Sequence, residues 1–340
     1  GYRTAAIGKW HLGSRDEQHP NNRGFDLFYG MKAGGRDYFY NEKKSDRPGD
    51  ERNLLLNDRQ VKFEKYLTDA FSEKAVEFIN ESSQPFMMYL AYNAVHTPMQ
   101  ATDEDMAKFE GHPRQKLAAM TYALDRGVGT VIRGLKDSGK FDNTLIFFLS
   151  DNGGATTNQS SNYPLKGFKG NKFEGGHRVP YFVVWKNGIP AGKPYDGLVS
   201  SLDIFATAID AASISKTRNR LDGVSLLPYL KGKKGEPHKV LYWRKMDTRA
   251  IRSGDYKLII THGVDSVLYN IRRDPEEMNN LINKEPDLYR KLAKKLAKWE
   301  KNECIEPSWL EEGWRKITNR YHQQLMHNEI KTAQDLYKKK

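Results

Sequence analysis

Short apolar blocks alternate with longer amphipathic stretches through the first two-thirds of the chain. Thr4 to Ile7 predicts a short buried strand. Phe71, Ala75, Phe78 and Ile79 recur at helical spacing, and Pro85 breaks the helix they mark. Phe86 to Tyr92 follows as a second buried strand. Leu117, Met120, Leu124, Val128, Val131 and Leu135 hold one helical face over several turns, and Gly139 suits the end of that helix. Leu145 to Leu149 and Tyr181 to Trp185 read as further strands, and Asp203 to Ala212 as a helix. Alternation of this kind predicts an α/β fold with a mainly parallel central sheet flanked by helices. Ligands of such folds bind in polar loops at the C-terminal ends of strands. Residues 21 to 58, rich in Gly, Asn, Arg and aromatics, read as long loops.

Beyond about Lys231 the pattern changes. Val240 to Trp243, Arg249 to Arg252, Tyr256 to Thr261 and Ser266 to Asn270 predict short strands of a small antiparallel sheet. Leu288, Leu292, Leu296 and Trp299 then mark one face of a helix over Glu285 to Lys301. The expected organisation is an α/β domain over residues 1–230, a sheet-and-helix subdomain over 231–302, and a polar tail over 303–340.

Charge changes this picture modestly. Lys plus Arg number 55 against 43 for Asp plus Glu, a net charge of +12. That balance favours anionic partners. Lys231, Lys233, Lys234 and the terminal Lys338, Lys339 and Lys340 supply much of the excess, which reads first as a solvated surface. No apolar run approaches the length of a membrane-spanning helix, so no membrane insertion is expected. The single cysteine, Cys304, excludes an internal disulfide and leaves the compartment open.

Four segments carry candidate chemistry. Lys9 and His11 follow the first strand, two residues apart, and would share a side if the chain stays extended. His96 lies in Asn93-Ala94-Val95-His96-Thr97-Pro98, just after a strand, where it could act in catalysis or serve as a hydrogen-bonded structural histidine. Ser150-Asp151-Asn152-Gly153-Gly154 places a carboxylate and an amide oxygen side by side, either a hard-cation seat or an ordinary Asx turn. Lys166, Lys169 and Lys172 are interleaved with glycines ahead of Glu174-Gly175-Gly176-His177-Arg178, a basic loop that grips an anion or is simply solvated.

The string Gly1-Tyr2-Arg3-Thr4-Ala5-Ala6-Ile7-Gly8-Lys9-Trp10-His11 resembles the second signature of type I sulfatases, of the alkaline phosphatase superfamily. The other three segments resemble that family's motifs in the same order, and the likeness extends over about Gly1 to Lys301. The resemblance implies that Asp151 and Asn152 are two ligands of a divalent cation, calcium in the first instance and magnesium as the alternative. It implies that His96 contacts sulfate. It places the catalytic lysine at Lys169, five before Glu174, with Lys166 as a nearby competitor. Glu174 and Arg178 would be a loop-fixing pair, and His177 sits at a variable position. Lys9 would bridge nucleophile and sulfate, and His11 would hydrogen-bond the nucleophile and act as base. One of His96 and Lys169 would protonate the leaving alcohol.

The family's nucleophile is a formylglycine made from Cys or Ser in a Cys/Ser-x-Pro-x-Arg motif. Cys304-Ile305-Glu306-Pro307-Ser308-Trp309 does not fit it: the proline is one place late and no arginine follows. The formylglycine, and the Asp-Asp pair that completes the metal site, are therefore expected upstream of Gly1, and this chain alone is expected to be inactive. The family resemblance suggests a periplasmic or secreted enzyme. The expected substrate is a sulfated carbohydrate, ahead of an aryl sulfate, with no nucleic-acid partner. Gly34, Gly35, Arg36, Asp37 and Tyr38 are candidates for a sugar subsite, with Arg36 binding substrate. The alternatives are a phosphodiesterase or phosphonate hydrolase of the same superfamily, or a non-catalytic polyanion binder.

Overall fold

The computed structural model describes residues 1–214, 220–304 and 312–338. They divide into two compact units, Gly1–Asp142 and Asn143–Lys340. The break expected near Lys231 falls inside the second unit. Among the described residues no helix is long and apolar enough to cross a membrane.

The first unit is built on a sheet of order β4-β3-β2-β1-β5. Strand β1 (Arg3–Lys9) lies between β2 (Leu27–Met31) and β5 (Phe86–Ala91), parallel to both. The short β3 (Leu55–Leu56) and β4 (Arg59–Gln60) extend it antiparallel. Strand β2 lies within the stretch expected to be loop. Its apolar Leu-Phe-Tyr-Gly-Met run is only as long as one short strand, and the polar sequence on either side masked it. Helix α1 (Leu67–Glu81) buries Leu67, Ala70, Phe71, Ala75, Phe78 and Ile79, the face its periodicity predicts. A short α2 (Asp103–Ala107) precedes α3 (Gln115–Asp137). The buried positions of α3 include Ala119, Ala123, Gly127 and Gly134 beside Met120, Val131 and Leu135. A β-carbon on Gly127 would come within 2.6 Å of Ser72 Oγ, and one on Gly134 within 2.9 Å of Val76. Small residues thus bring α3 close to α1. Gly139, at φ +70°, follows the helix as expected.

In the second unit β6 (Ile146–Leu149) pairs antiparallel with β7 (Tyr181–Val184), not as a member of a parallel series. The short α4 (Glu174–His177) lies between them in sequence, and α5 (Asp203–Ala211) and α6 (Leu227–Leu230) follow. A four-stranded antiparallel meander then forms from β8 (Val240–Lys245), β9 (Thr248–Ser253), β10 (Tyr256–Thr261) and β11 (Asp265–Asn270). Side chains alternate faces along a strand. Ile251, Leu258 and Leu268 therefore pack against Leu292 and Leu296 of α7 (Pro286–Glu303). Ala250, Ile259, Val267 and Tyr269 pack on the other face with Phe168, Phe173, Leu325, Met326, Ile330 and Ala333.

Those last four residues correct the expected polar tail. Helix α8 (Glu312–Met326) and the segment leading to α9 (Asp335–Lys338) close the second face of the meander, and Leu325 and Ala333 are wholly buried. The charged residues of this stretch are solvated, but its apolar stripe is core. Cys304 is half-buried at the end of α7. Ile305 to Trp309, the rest of the motif it was compared with, lie outside the described residues, as do Lys339 and Lys340.

Candidate active-site segments

Lys9 is the last residue of β1, half-buried, in register with Met31. Gly8 before it has φ +106°, and a β-carbon there would meet Ala91 O at 2.0 Å. Glycine at this place is what lets β1 run against β5. His11 departs from the expected extended path. Its φ is +52°, and its amide donates to Lys32 O at 3.0 Å. The left-handed residue turns the chain, so strand alternation no longer sets where the ring points. The ring instead lies against Gly34, where a β-carbon would come within 2.5 Å of His11 Cε1. A β-carbon on the next residue, Gly35, would stand 3.3 Å from His96 Nδ1. Consecutive α-carbons are only about 3.8 Å apart. The two imidazoles, distant in sequence, therefore each lie against one of two adjacent glycines.

His96 is held by its turn. Its amide donates to Asn93 O at 2.8 Å, and the buried Tyr38 hydroxyl lies 2.7 Å from Asn93 O and 2.9 Å from His96 O. Burial raises the Tyr38 phenol well above its ordinary pKa, so it remains a donor. His96 Nδ1 is 2.8 Å from Thr97 O. A carbonyl can only accept, so Nδ1 carries the proton and Nε2 is the basic nitrogen of the neutral ring.

Arg36 is a correction to the sugar-subsite expectation. It is 2% exposed. Its Nη2 is shared between the two Asp46 oxygens at 2.7 and 2.8 Å, while Nη1 donates to Arg52 O and Nε to Asp37 O. With every guanidinium nitrogen engaged, it ties the loop together from inside. Nothing in this arrangement presents it to a ligand.

The second unit joins two other segments. Gly153 N donates to Gly176 O at 3.1 Å, and Lys169 N donates to Gly154 O at 3.0 Å. A β-carbon on Gly153 would lie 1.8 Å from Gly175 O, so only glycine permits this contact. Asp151-Asn152 at the end of β6 is thereby stitched to the basic loop. Asp151 is exposed, and among the described residues no donor reaches its carboxylate. Asn152 spends its Nδ2 on Gly153 O at 3.0 Å, leaving its oxygen as the ligating atom. Two neighbouring oxygens without donors suit a hard cation, but calcium takes six to eight. Among the described residues no group of three or more His, Cys, Asp and Glu is arranged so that it could hold a metal ion. The pair fits as a partial ligand set.

Lys166 and Lys169 part ways. Lys166 is fully buried, with Nζ 3.0 Å from Glu277 O and bonded also to Asn328 Oδ1, and it anchors the loop. Lys169 is half-buried on the segment that touches Gly154. Glu174 is buried, and its closest cation is Lys257 of β10, 2.9 Å away, with Arg178 at 3.7 Å. Lys257 is itself wholly buried and also pairs with Glu277 at 3.0 Å. Glu277 in turn accepts from Glu174 N at 2.6 Å. Burial pushes the Glu277 carboxyl up to about 7, against the pull of Lys257. At Glu174 burial acts upward too, but Lys257 and His177 outweigh it and hold the carboxyl well below its usual range. Burial and then Lys257 depress His177 to about 4, so it is neutral at pH 7. Sequence reasoning missed Lys257 and Glu277. Glu277 carried one weak signal, a charged residue in a turn beside Pro275, and Lys257 carried none, being one lysine in an apolar strand.

The sulfatase family model matches residues 1–214, and a model described as N-sulphoglucosamine sulphohydrolase, C-terminal, matches residues 169–302. The chain belongs to the sulfatase family, of the alkaline phosphatase superfamily. It is 37% identical over 276 residues to an uncharacterized sulfatase, YdeN, of Escherichia coli, covering 72% of this chain and 47% of the relative. It is 30% identical to the N-acetylgalactosamine-6-sulfatase of Canis lupus familiaris, covering 76% and 52%. The chain thus spans about half the length of these curated relatives. Among solved structures, Ps i-CgsB in complex with k-i-k-neocarrahexaose superposes with a TM-score of 0.84 at 36% identity, over 94% of this chain and 76% of that one. The phosphonate monoester hydrolase of Agrobacterium radiobacter shares the fold alone, at 17% identity and a TM-score of 0.61.

Proposed function

We propose that the protein carrying this chain hydrolyses sulfate esters of carbohydrates. The observation that supports this most is the presence, within a sulfatase-family chain, of Lys9, His11 and His96 at strand ends and turns. Relatives add the substrate class: one is named for N-acetylgalactosamine-6-sulfate, and a solved neighbour is described with its substrate D-glucosamine-2-N,6-O-disulfate.

The reaction develops negative charge on the non-bridging sulfate oxygens and on the departing oxygen, so fixed cations and an acid are needed. Lys9 and Lys169 supply positive charge to the sulfate. His96 contacts a sulfate oxygen; in its cationic form the ring donates from Nε2 while Nδ1 stays on Thr97 O. His96 or Lys169 protonates the leaving alcohol. His11 would hydrogen-bond the hydroxyl of the nucleophile and act as base when sulfate is expelled. In this family a formylglycine supplies the nucleophile and a divalent cation polarises the sulfate. Asp151 and Asn152 would contribute oxygens to that cation; oxygen donors suit calcium and magnesium alike, and the family resemblance puts calcium first.

The test is turnover of 4-nitrophenyl sulfate and of sulfated sugars beside phosphodiester and phosphonate analogues. Lys9→Ala and His96→Ala should each lower kcat/KM by about a hundredfold or more. Efficient phosphonate or phosphodiester hydrolysis with no sulfate release would replace this reading with the superfamily alternative.

A further inference from the structure

The face of β8 turned toward the Lys169 loop carries Trp243 and Lys245, two residues apart and so on one side of the strand. The Trp243 ring lies 4.6 Å from the His177 ring. Lys245 Nζ sits 3.2 Å from where a β-carbon on Gly170, the neighbour of Lys169, would be. Lys172, two residues further along the same loop, is half-buried. Burial first, and then the charges of Lys245 and Lys257, together lower its ammonium to about 8. Lys245 is shifted down by burial and then by Lys169. Lys257 is neutralised by Glu174 and Glu277. Among the described residues no ion pair or side-chain hydrogen bond does the same for Lys172 or Lys245. Lysines on this protein's surface commonly find a carboxylate, as Lys62, Lys65, Lys74 and Lys108 do. Crowded ammonium groups without a counter-charge repel one another, and an anion placed among them relieves both that repulsion and the lost hydration.

We propose that Lys172 and Lys245 form a second anion subsite beside Lys169, which takes a sulfate group of the carbohydrate other than the one being hydrolysed. The role of Lys169 in this statement rests on the sulfatase reading, while the subsite itself rests on the lysine cluster. Trp243 on the same strand face offers an aromatic wall beside it. The subsite makes the protein select carbohydrates with closely spaced sulfates over singly sulfated ones.

Calorimetric titration with sucrose octasulfate, a densely sulfated sugar, tests this without requiring turnover. Lys245→Met and Lys172→Met should each weaken binding about tenfold, the scale of one charge-assisted hydrogen bond. Lys245→Arg should retain affinity, which also shows that the strand tolerates replacement. Lys294→Met, on the exposed side of α7, removes the same charge elsewhere and should leave affinity unchanged. Equal losses in Lys294→Met and Lys245→Met, unchanged affinity in both cluster variants, or no binding by the parent protein would overturn the proposal. Sulfate-ester turnover without lysine-dependent binding removes only the subsite. Lysine-dependent binding without turnover removes only the sulfatase reading.

Discussion

Lys257→Met probes the buried ionic centre that fastens the Lys169 loop to the C-terminal sheet. Lys257 is wholly buried and sits 2.9 Å from Glu174 and 3.0 Å from Glu277. Methionine nearly preserves its volume but strands two carboxylates. Removing one member of a buried ion pair costs about 3–5 kcal/mol, a large part of the roughly 5–15 kcal/mol that holds a domain folded. In a unit of this size that loss lowers the thermal midpoint by about 6–20 °C. The loss has a definite pH dependence. Glu277, already raised to about 7, is neutral in both states below about 4.5, where it costs nothing. As pH climbs from there through 7, the unfolded chain releases this proton while the folded chain keeps it, and stability falls. Without Lys257 that window extends upward. Glu174, held low in the parent, contributes stability above about 4.5 that the variant forfeits. Urea unfolding followed by tryptophan fluorescence should show a larger deficit at pH 8 than at pH 5. Adding Glu277→Gln should recover part of it. A deficit below about 1 kcal/mol, or one independent of pH, refutes the claim that this triad bears the loop.

Two further outcomes follow from single sites. His322 is 1% exposed, with Nδ1 on Thr318 O at 2.8 Å, and burial depresses it to about 4. Its folded pKa lies below the unfolded value, so stability is complete above about 6.5 and is lost as pH falls toward 4, by up to about 3 kcal/mol. His322→Leu should flatten that acid limb in thermal melts between pH 4 and 7, and an unchanged slope would assign the acid loss to other groups. Gly34→Ala puts a methyl group 2.5 Å from the His11 ring. Displacing a reacting group by about 1 Å can cost a hundredfold, so sulfate-ester kcat/KM should fall by that order with the melting midpoint nearly unmoved. Full activity in this variant would show that the His11 position is not critical.

Much of this protein is legible in local pattern. The α1 stripe, the strands after Pro85 and before Ser150, the four-strand meander and α7 all carry periods of one element. A repeat of 3.6 or 2 residues needs no partner to be read. The four candidate segments were legible for a related reason, since each is a contiguous string at a strand end.

What only the tertiary structure decided depends on residues that no local period links. The α1–α3 contact uses alanine and glycine, which a search for large apolar residues passes over. Strand β2 is recognisable through its pairing with β1. The apolar stripe of α8 becomes core because the meander offers it a second face. Arg36 turns inward because Asp46 receives it. Lys166 and Lys169, three residues apart with similar neighbours, differ because Glu277 and Asn328 claim one ammonium and not the other. A side chain's charge is written in the sequence. Its burial, and the groups that face it, are set by segments a hundred or more residues away, and these determine whether that charge anchors the fold or remains for a ligand.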